Sequence, residues 1–165
     1  MVFSLHTPKD NSSKSRIIIL KSSLHENINF MDTGTYNSIC CNAQNVDIPD
    51  ANFKNALISA GVDTSGDGEI SQDEAEAIIS LDVWYKDISD MTGIEAFVNL
   101  DTLNCEDNQL INLDFSNNTA LTELNCRENR LTSLDVSGCI ALTDLDCGEN
   151  QLTSLNVSNN TALKS

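Results

Sequence analysis

From Leu100 onward the chain arranges apolar and polar positions in a scheme that returns every 21 residues: LDTLNCEDNQLINLDFSNNTA, LTELNCRENRLTSLDVSGCIA from Leu121, and LTDLDCGENQLTSLNVSNNTA from Leu142. Leu100, Leu121, Leu142 and Leu163 fall in register, as do Leu103, Leu124 and Leu145, Cys105, Cys126 and Cys147, and Asn108, Asn129 and Asn150. Around each Leu-x-Cys triplet the period is two, which predicts a short strand with those residues on its inner face. With an offset of 22, Ile78, Leu81, Val83, Ile88 and Met91 match Leu100, Leu103, Cys105, Leu110 and Leu113, so residues 78–99 are predicted to form a first, divergent turn, with Lys86 where the later turns carry Asn. Upstream the spacing becomes helical. Phe53, Leu57, Ile58 and Ala60 follow Ile48-Pro49-Asp50 and precede Gly61, which predicts a short helix.

Reduced to L-x-x-L-x-C-x-x-N-x-L-x-x-L, the repeat has the leucine-rich-repeat signature, in which one turn cannot bury its apolar side alone and must stack on others. The expected fold class is an α/β solenoid. It comprises residues 78–165, with one divergent turn at 78–99, three regular turns at 100–162 and an incomplete turn from Leu163, and its parallel strands line a concave face. Phe115, Val136 and Val157 join the leucines and cysteines inside, while Asn108, Asn129 and Asn150 are expected to bond their amides to the backbone of neighbouring turns. Stacked side chains on parallel strands about 4.8 Å apart point the same way, so Cys105, Cys126 and Cys147 read as small buried hydrophobes in preference to disulfides or metal ligands.

Residues 47–79 carry a second motif. Asp63-Thr64-Ser65-Gly66-Asp67-Gly68-Glu69-Ile70-Ser71-Gln72-Asp73-Glu74 fits a twelve-residue EF-hand loop for Ca2+, a hard ion that takes oxygen ligands. Asp63, Ser65 and Asp67 offer side-chain oxygens, Glu69 its carbonyl, Ser71 a water-mediated contact and Glu74 both carboxylate oxygens. Ser71 and Glu74 also stand as a capping box, so a second helix is expected to start inside the loop and run through Ile79. A lone helix-loop-helix of this kind is expected to cap the array, with calcium as its stabiliser.

Charge narrows the possible partners. Residues 47–165 hold five Lys/Arg against twenty-two Asp/Glu, within a chain of formal net charge −16. Such a surface repels phosphate backbones and anionic headgroups, which argues against nucleic acid, and no apolar run is long enough for membrane insertion. The outward strand positions are acidic with one aromatic corner, and the candidate partner-binding residues are Trp84, Tyr85, Glu106, Glu123, Arg127, Asp144 and Asp146. Trp84 and Tyr85 fit either an anchor for a protein loop or sugar ring, or residues packed on the cap. No catalytic constellation is visible: His6 and His25 lie in residues 1–46, an unassigned leader without periodicity or a recognisable export signal. The chain is therefore expected not to be an enzyme.

The stretch VDIPDANFKNALISAGVDTSGDGEISQDEAEAIISLDV followed by LNC-type turns resembles the secreted or surface leucine-rich-repeat proteins of Bacteroidetes, over residues 47–165. The 21-residue turn with its cysteine column is also similar to the internalin J type of listerial adhesin, wall-anchored and carrying a cysteine ladder. Both resemblances imply an extracellular or cell-surface adhesion module that binds a protein, or a glycan, without chemistry of its own. The other function class open at this point is an accessory or spacer segment of a larger secreted hydrolase. The turn begun at Leu163 is expected to continue in a longer array.

Overall fold

The computed structural model describes residues 44–164, and the reading of the leader up to residue 43 lies outside them. Asp50 opens the first helix, α1 (Ala51–Ser59): its Oδ1 accepts from the backbone N–H of Asn52 at 2.8 Å and Phe53 at 2.9 Å, satisfying two otherwise unpaired donors. The helix buries Phe53, Ala56 and Leu57. Ala60, expected on that face, is instead the exposed C-cap, because Gly61 at φ +80 turns the chain away just after it.

The second helix, α2 (Gln72–Glu76), starts in the capping box of Ser71 and Glu74 but ends at Ala77, short of the expected Ile79. A competing ladder stops it: the Ile79 carbonyl already accepts from the backbone N–H of Asp101 at 2.7 Å and of Thr102 at 3.2 Å, one turn further along the array. Ile79 itself is exposed. From there β1 (Ser80–Asp82), a 3-10 turn (Ile94–Ala96), β2 (Thr102–Asn104), β3 (Asn112–Asp114), β4 (Glu123–Asn125), β5 (Ser133–Asp135) and β6 (Asp144–Asp146) follow in chain order.

These strands make a parallel solenoid. The main sheet runs β1-β2-β4-β6, with Leu81, Leu103, Leu124 and Leu145 as register partners, so the 22- and 21-residue offsets are the pairing register itself. A second parallel pair, β3-β5, aligns Leu113 with Leu134. Between the sheets lies one core containing Leu100, Leu110, Phe115, Leu121, Leu131, Val136 and Leu142, continuous with Phe53, Leu57, Val62 and Ile70 from the helical segment. Val157 departs from expectation: it is 38% exposed, since no later turn covers it among the described residues.

The polar columns complete the frame. Asn108 accepts at Oδ1 from the N–H groups of Lys86 and Ile88, at 3.2 and 3.0 Å, and donates to the carbonyls of Val83 and Cys105, both at 3.0 Å. Asn129 and Asn150 repeat the arrangement one and two turns later. Cys105 and Cys126 are fully buried free thiols, and Cys147 is half-buried. Burial pushes the Cys126 thiol up to about 12, with Cys147 and Asp146 adding to it, and holds the Cys105 thiol well above its ordinary value. Both therefore remain protonated at neutral pH and behave as core-filling groups, not as nucleophiles.

A second buried column was not expected. Asn118 donates to the carbonyls of Ile94 and Phe97 at 2.9 and 3.1 Å, and Asn160 to those of Val136 and Cys139 at 2.9 and 2.7 Å. Between them, Cys139 directs its thiol at the carbonyls of Phe115 at 3.3 Å and Asn118 at 3.6 Å.

Candidate functional site

Two places carry the candidate residues. The first is the Asp63–Glu74 loop. Gly66 and Gly68 take φ +74 and +82, which lets the chain double back so that Asp63 accepts from Gly66 N–H at Oδ1 (2.6 Å) and from Gly68 N–H at Oδ2 (2.9 Å). Those bonds, Gly68 foremost, hold the Asp63 carboxyl below its ordinary value. Asp67 accepts from Glu69 N–H at 2.9 Å, and the Glu69 carboxylate meets Lys54 of α1 at 2.6 Å.

Glu74 closes the loop. Its Oε1 accepts from the N–H and hydroxyl of Thr64 and the N–H of Ser65, at 2.9, 3.0 and 2.9 Å, while Oε2 accepts from the N–H and hydroxyl of Ser71, at 2.9 and 2.8 Å. The Ser71 and Ser65 N–H groups lead in lowering its carboxyl from 4.5 to about 2. The donor set suits a hard cation, being oxygen only with three carboxylates on one short loop. In the conformation described, however, Asp63 and Glu74 are bound to the loop's own donors. Among the described residues no group of three His, Cys, Asp or Glu side chains is gathered into a metal cluster.

Behind the loop, residues assigned to the leader by composition take a structural part. Val46 N–H donates to the Ile70 carbonyl at 2.8 Å and Gln72 N–H to the Gln44 carbonyl at 2.9 Å, an antiparallel bridge centred on Asn45 and Ser71. Segment and first repeat are then clamped together. Asp50 Oδ2 accepts from Ser89 N–H and hydroxyl at 2.9 and 2.7 Å, Asn52 Nδ2 donates to the Asp87 carbonyl at 2.9 Å, and Asn99 Nδ2 donates to the Glu76 carbonyl at 2.8 Å.

The second place is the outer side of the four-stranded sheet. Register aligns Ser80, Thr102, Glu123 and Asp144 in one row and Asp82, Asn104, Asn125 and Asp146 in the next. They line a shallow groove of about 560 Å³. The second row also has a structural task unforeseen in the sequence: Asp82, Asn104, Asn125 and Asp146 each accept from the N–H two residues on, closing the turn after the strand. Beyond this row stand Trp84, Glu106 and Arg127. Glu106 accepts from Asn125 Nδ2 at 2.8 Å, and Arg127 reaches the other way to pair with Glu128 and Glu149.

Trp84 and Tyr85 stand largely in solvent. They are 52% and 66% exposed and lean on each other, ring centroids 5.7 Å apart at 36°. The structure thus brings Glu123, Asp144 and Asp146 into the groove, and places Trp84, Tyr85, Glu106 and Arg127 along its border.

No protein-family model matches the chain. A 71-residue stretch, 43% of the chain, is 41% identical to internalin J of Listeria monocytogenes serotype 4b and spans 8% of that protein. Among solved structures, the internalin J domain described as including a cysteine ladder superposes with a TM-score of 0.64 and 42% identity, over 70% of this chain and 25% of that one. Internalin F of the same species superposes at 0.62 with 28% identity, over 70% of this chain and 35% of that one. The chain therefore spans a small part of these relatives. With the strand register and the cysteine column, these similarities show that the repeats of this chain share the parallel-strand solenoid fold of the internalin leucine-rich-repeat structures.

Proposed function

We propose that this chain is a non-enzymatic binding or adhesion module, placed outside the cell, that receives a protein partner on the outer side of its main parallel sheet. One observation carries the reading: a continuous surface from Ser80 to Asp146 that no other part of the described chain covers, bordered by two exposed aromatic rings. Large exposed aromatics beside a polar sheet face are what a partner interface uses for anchoring. A peptide library displayed on phage and selected on the chain tests it. Enriched binders should lose capture on Glu123→Arg/Asp144→Arg and keep it on Asp114→Arg/Asp135→Arg, which reverses charge on the other sheet. Binders indifferent to both reversals would sink the assignment of the face.

In the same reading, the Asp63–Glu74 loop holds a calcium ion through Asp63, Ser65, Asp67, the Glu69 carbonyl, Ser71 and Glu74. The ion would supply a divalent charge that ties the two ends of the loop together. Glu74 serves the loop with or without metal, and this defines a prediction. Its carboxyl is depressed in the folded state, so its contribution is complete above about pH 4.5 and disappears as pH falls through about 2. Glu74→Gln is expected to destabilise the chain by about 2 kcal/mol at neutral pH in chelator, from weakened charge-assisted bonds. The same change should flatten the acid limb of the melting curve between those two pH values. Calorimetry with calcium should give a saturable heat in the natural chain and none in Glu74→Gln. Absence of heat in both, with the stability loss still present, would leave the carboxylate as a purely hydrogen-bonded closure.

A further inference from the structure

The chain carries an aromatic pair at positions where the repeat does not require aromatic residues. At one shared position after its strand, each turn has a non-glycine residue in the left-handed region: Tyr85 at φ 53, Asp107 at 54, Glu128 at 53 and Glu149 at 52, and the first turn adds Asp87 at 57. Three of the four at the shared position are acidic. A bulky ring is a strained occupant of this region, and strain of that sort is ordinarily offset by burial or retained for function. Tyr85 is two-thirds exposed and Trp84 half exposed, so burial is not the compensation.

The next turn indicates what the rings fit. Val83 N–H donates to the Asn104 carbonyl at 2.8 Å and Tyr85 N–H to the Glu106 carbonyl at 3.1 Å. That pairing sets Glu106 and Asp107 one strand spacing, about 4.8 Å, from Trp84 and Tyr85. Glu106 uses one carboxylate oxygen on Asn125 and meets no cation, and Asp107 has no side-chain hydrogen bond or ion pair among the described residues. Arg127 is turned to Glu128 and Glu149, and Lys86, beside Tyr85, forms no ion pair among the described residues. Two electron-rich ring faces therefore adjoin two carboxylates without a cation of their own, on a body with five basic and twenty-two acidic residues from position 47 onward.

We infer that the corner formed by Trp84, Tyr85, Glu106 and Asp107 seats an arginine side chain from a basic segment of the partner protein. Guanidinium is the group that meets both demands, lying flat on an indole face and forking onto carboxylates, whereas an ammonium is a point charge that prefers its water. The inference rests on the strand-face reading and narrows it to a partner chemistry.

Trp84 is the only tryptophan in the chain, so its emission reports on this corner directly. The full chain is titrated with a tetra-arginine peptide and with a tetra-citrulline peptide, which has the same shape without charge. A saturable change with arginine is expected, with half-saturation at least tenfold weaker for citrulline. A tenfold loss is also expected in Glu106→Gln/Asp107→Asn, where both rings remain, while Asp114→Asn/Asp135→Asn on the other sheet should titrate like the natural chain. Equal response to citrulline, an undiminished response in Glu106→Gln/Asp107→Asn, or an equal loss in the other-sheet variant would overturn the assignment. Tyr85→Gly guards against a folding artefact: it should melt higher, by relief of the left-handed residue, and yet titrate more weakly. Library binders that depend on Glu123 and Asp144 but lack arginine and leave Trp84 emission unchanged would overturn this inference alone. Failure to select any face-dependent binder would count against the broader reading.

Discussion

Replacing Asn129 by alanine is expected to cost about 4 kcal/mol and to split the array, because the side chain is buried and serves backbone groups of two turns at once. Its Oδ1 accepts from the Leu110 N–H at 3.1 Å, and its Nδ2 faces the carbonyls of Cys105 at 3.0 Å, Cys126 at 3.2 Å and Arg127 at 3.1 Å. Alanine would leave these groups without partner or water, at about 1–3 kcal/mol for each buried polar group left unsatisfied. Since a solenoid turn contacts only its neighbours, the defect should act locally. The turns after Asn129 should lose hydrogen-exchange protection first, while amides of β1 and the helical segment keep theirs. Asn150→Ala should cost less, because that residue is half-buried on the last described turn. Asn125→Ala, on the outer face, should cost about 1 kcal/mol, because its hydrogen bonds are only part-buried and water can reach the groups left behind. A mild, uniform loss in Asn129→Ala would mean that water enters and satisfies the ladder.

The Asn column was legible before any coordinates, and for a physical reason. A residue that must satisfy the same backbone groups in every turn recurs at a fixed interval, as do Leu103, Leu124 and Leu145, which must fill the same space. What was not legible lies where one residue answers to two patterns or to none. Ile78 and Ile79 continue the apolar spacing of a helix and also begin the ladder; the ladder, with the Asp101 and Thr102 N–H groups already bound, prevails. Gln44 pairs through its backbone, which has no side-chain signature, and Val46 adds one apolar side chain to the core without a periodic neighbour, so composition placed both with the leader. Val157 has the right residue in the right register, but a position in register is buried only if a neighbouring turn covers it. Trp84 and Tyr85 could not be placed on cap or solvent by spacing alone, because both ends of an amphipathic ring fit either, and more than half of each residue's surface is exposed.

The second buried column is the least legible element, since Asn118 and Asn160 sit in runs that read as ordinary turn sequence. The clue lies in the middle turn, where Ser116-Asn117-Asn118 and Ser158-Asn159-Asn160 correspond to Ser137-Gly138-Cys139. Asn118 and Asn160 each bury an Oδ1 with no partner among the described residues, a cost Cys139 avoids by having only a thiol. The turn around Cys139 also sits closer to its neighbour. A Cβ on Gly138 would lie 1.9 Å from the Ser116 carbonyl oxygen and 2.5 Å from its carbon, both backbone atoms that no side-chain rotation can move aside. Gly138→Ala is therefore expected to cost about 3 kcal/mol, at the upper end for overpacking, and to lower the melting temperature by about 10 °C. Cys139→Asn alone should cost about 2 kcal/mol, since it adds an unpaired buried oxygen and forces volume into the closed turn. The pair Gly138→Asn/Cys139→Asn restores the residues of the flanking turns. If glycine and cysteine are one adaptation, the double variant lets the turn withdraw to the geometry around Asn118 and Asn160. Its loss should then fall below the sum of Gly138→Asn and Cys139→Asn measured singly by about 1 kcal/mol or more, a coupling measurable in a double-mutant cycle. Strict additivity would show instead that Gly138 and Cys139 are independent, and that the close approach at Ser116 is set by neither thiol nor amide but by the packing of Phe115 and Val136 beneath them.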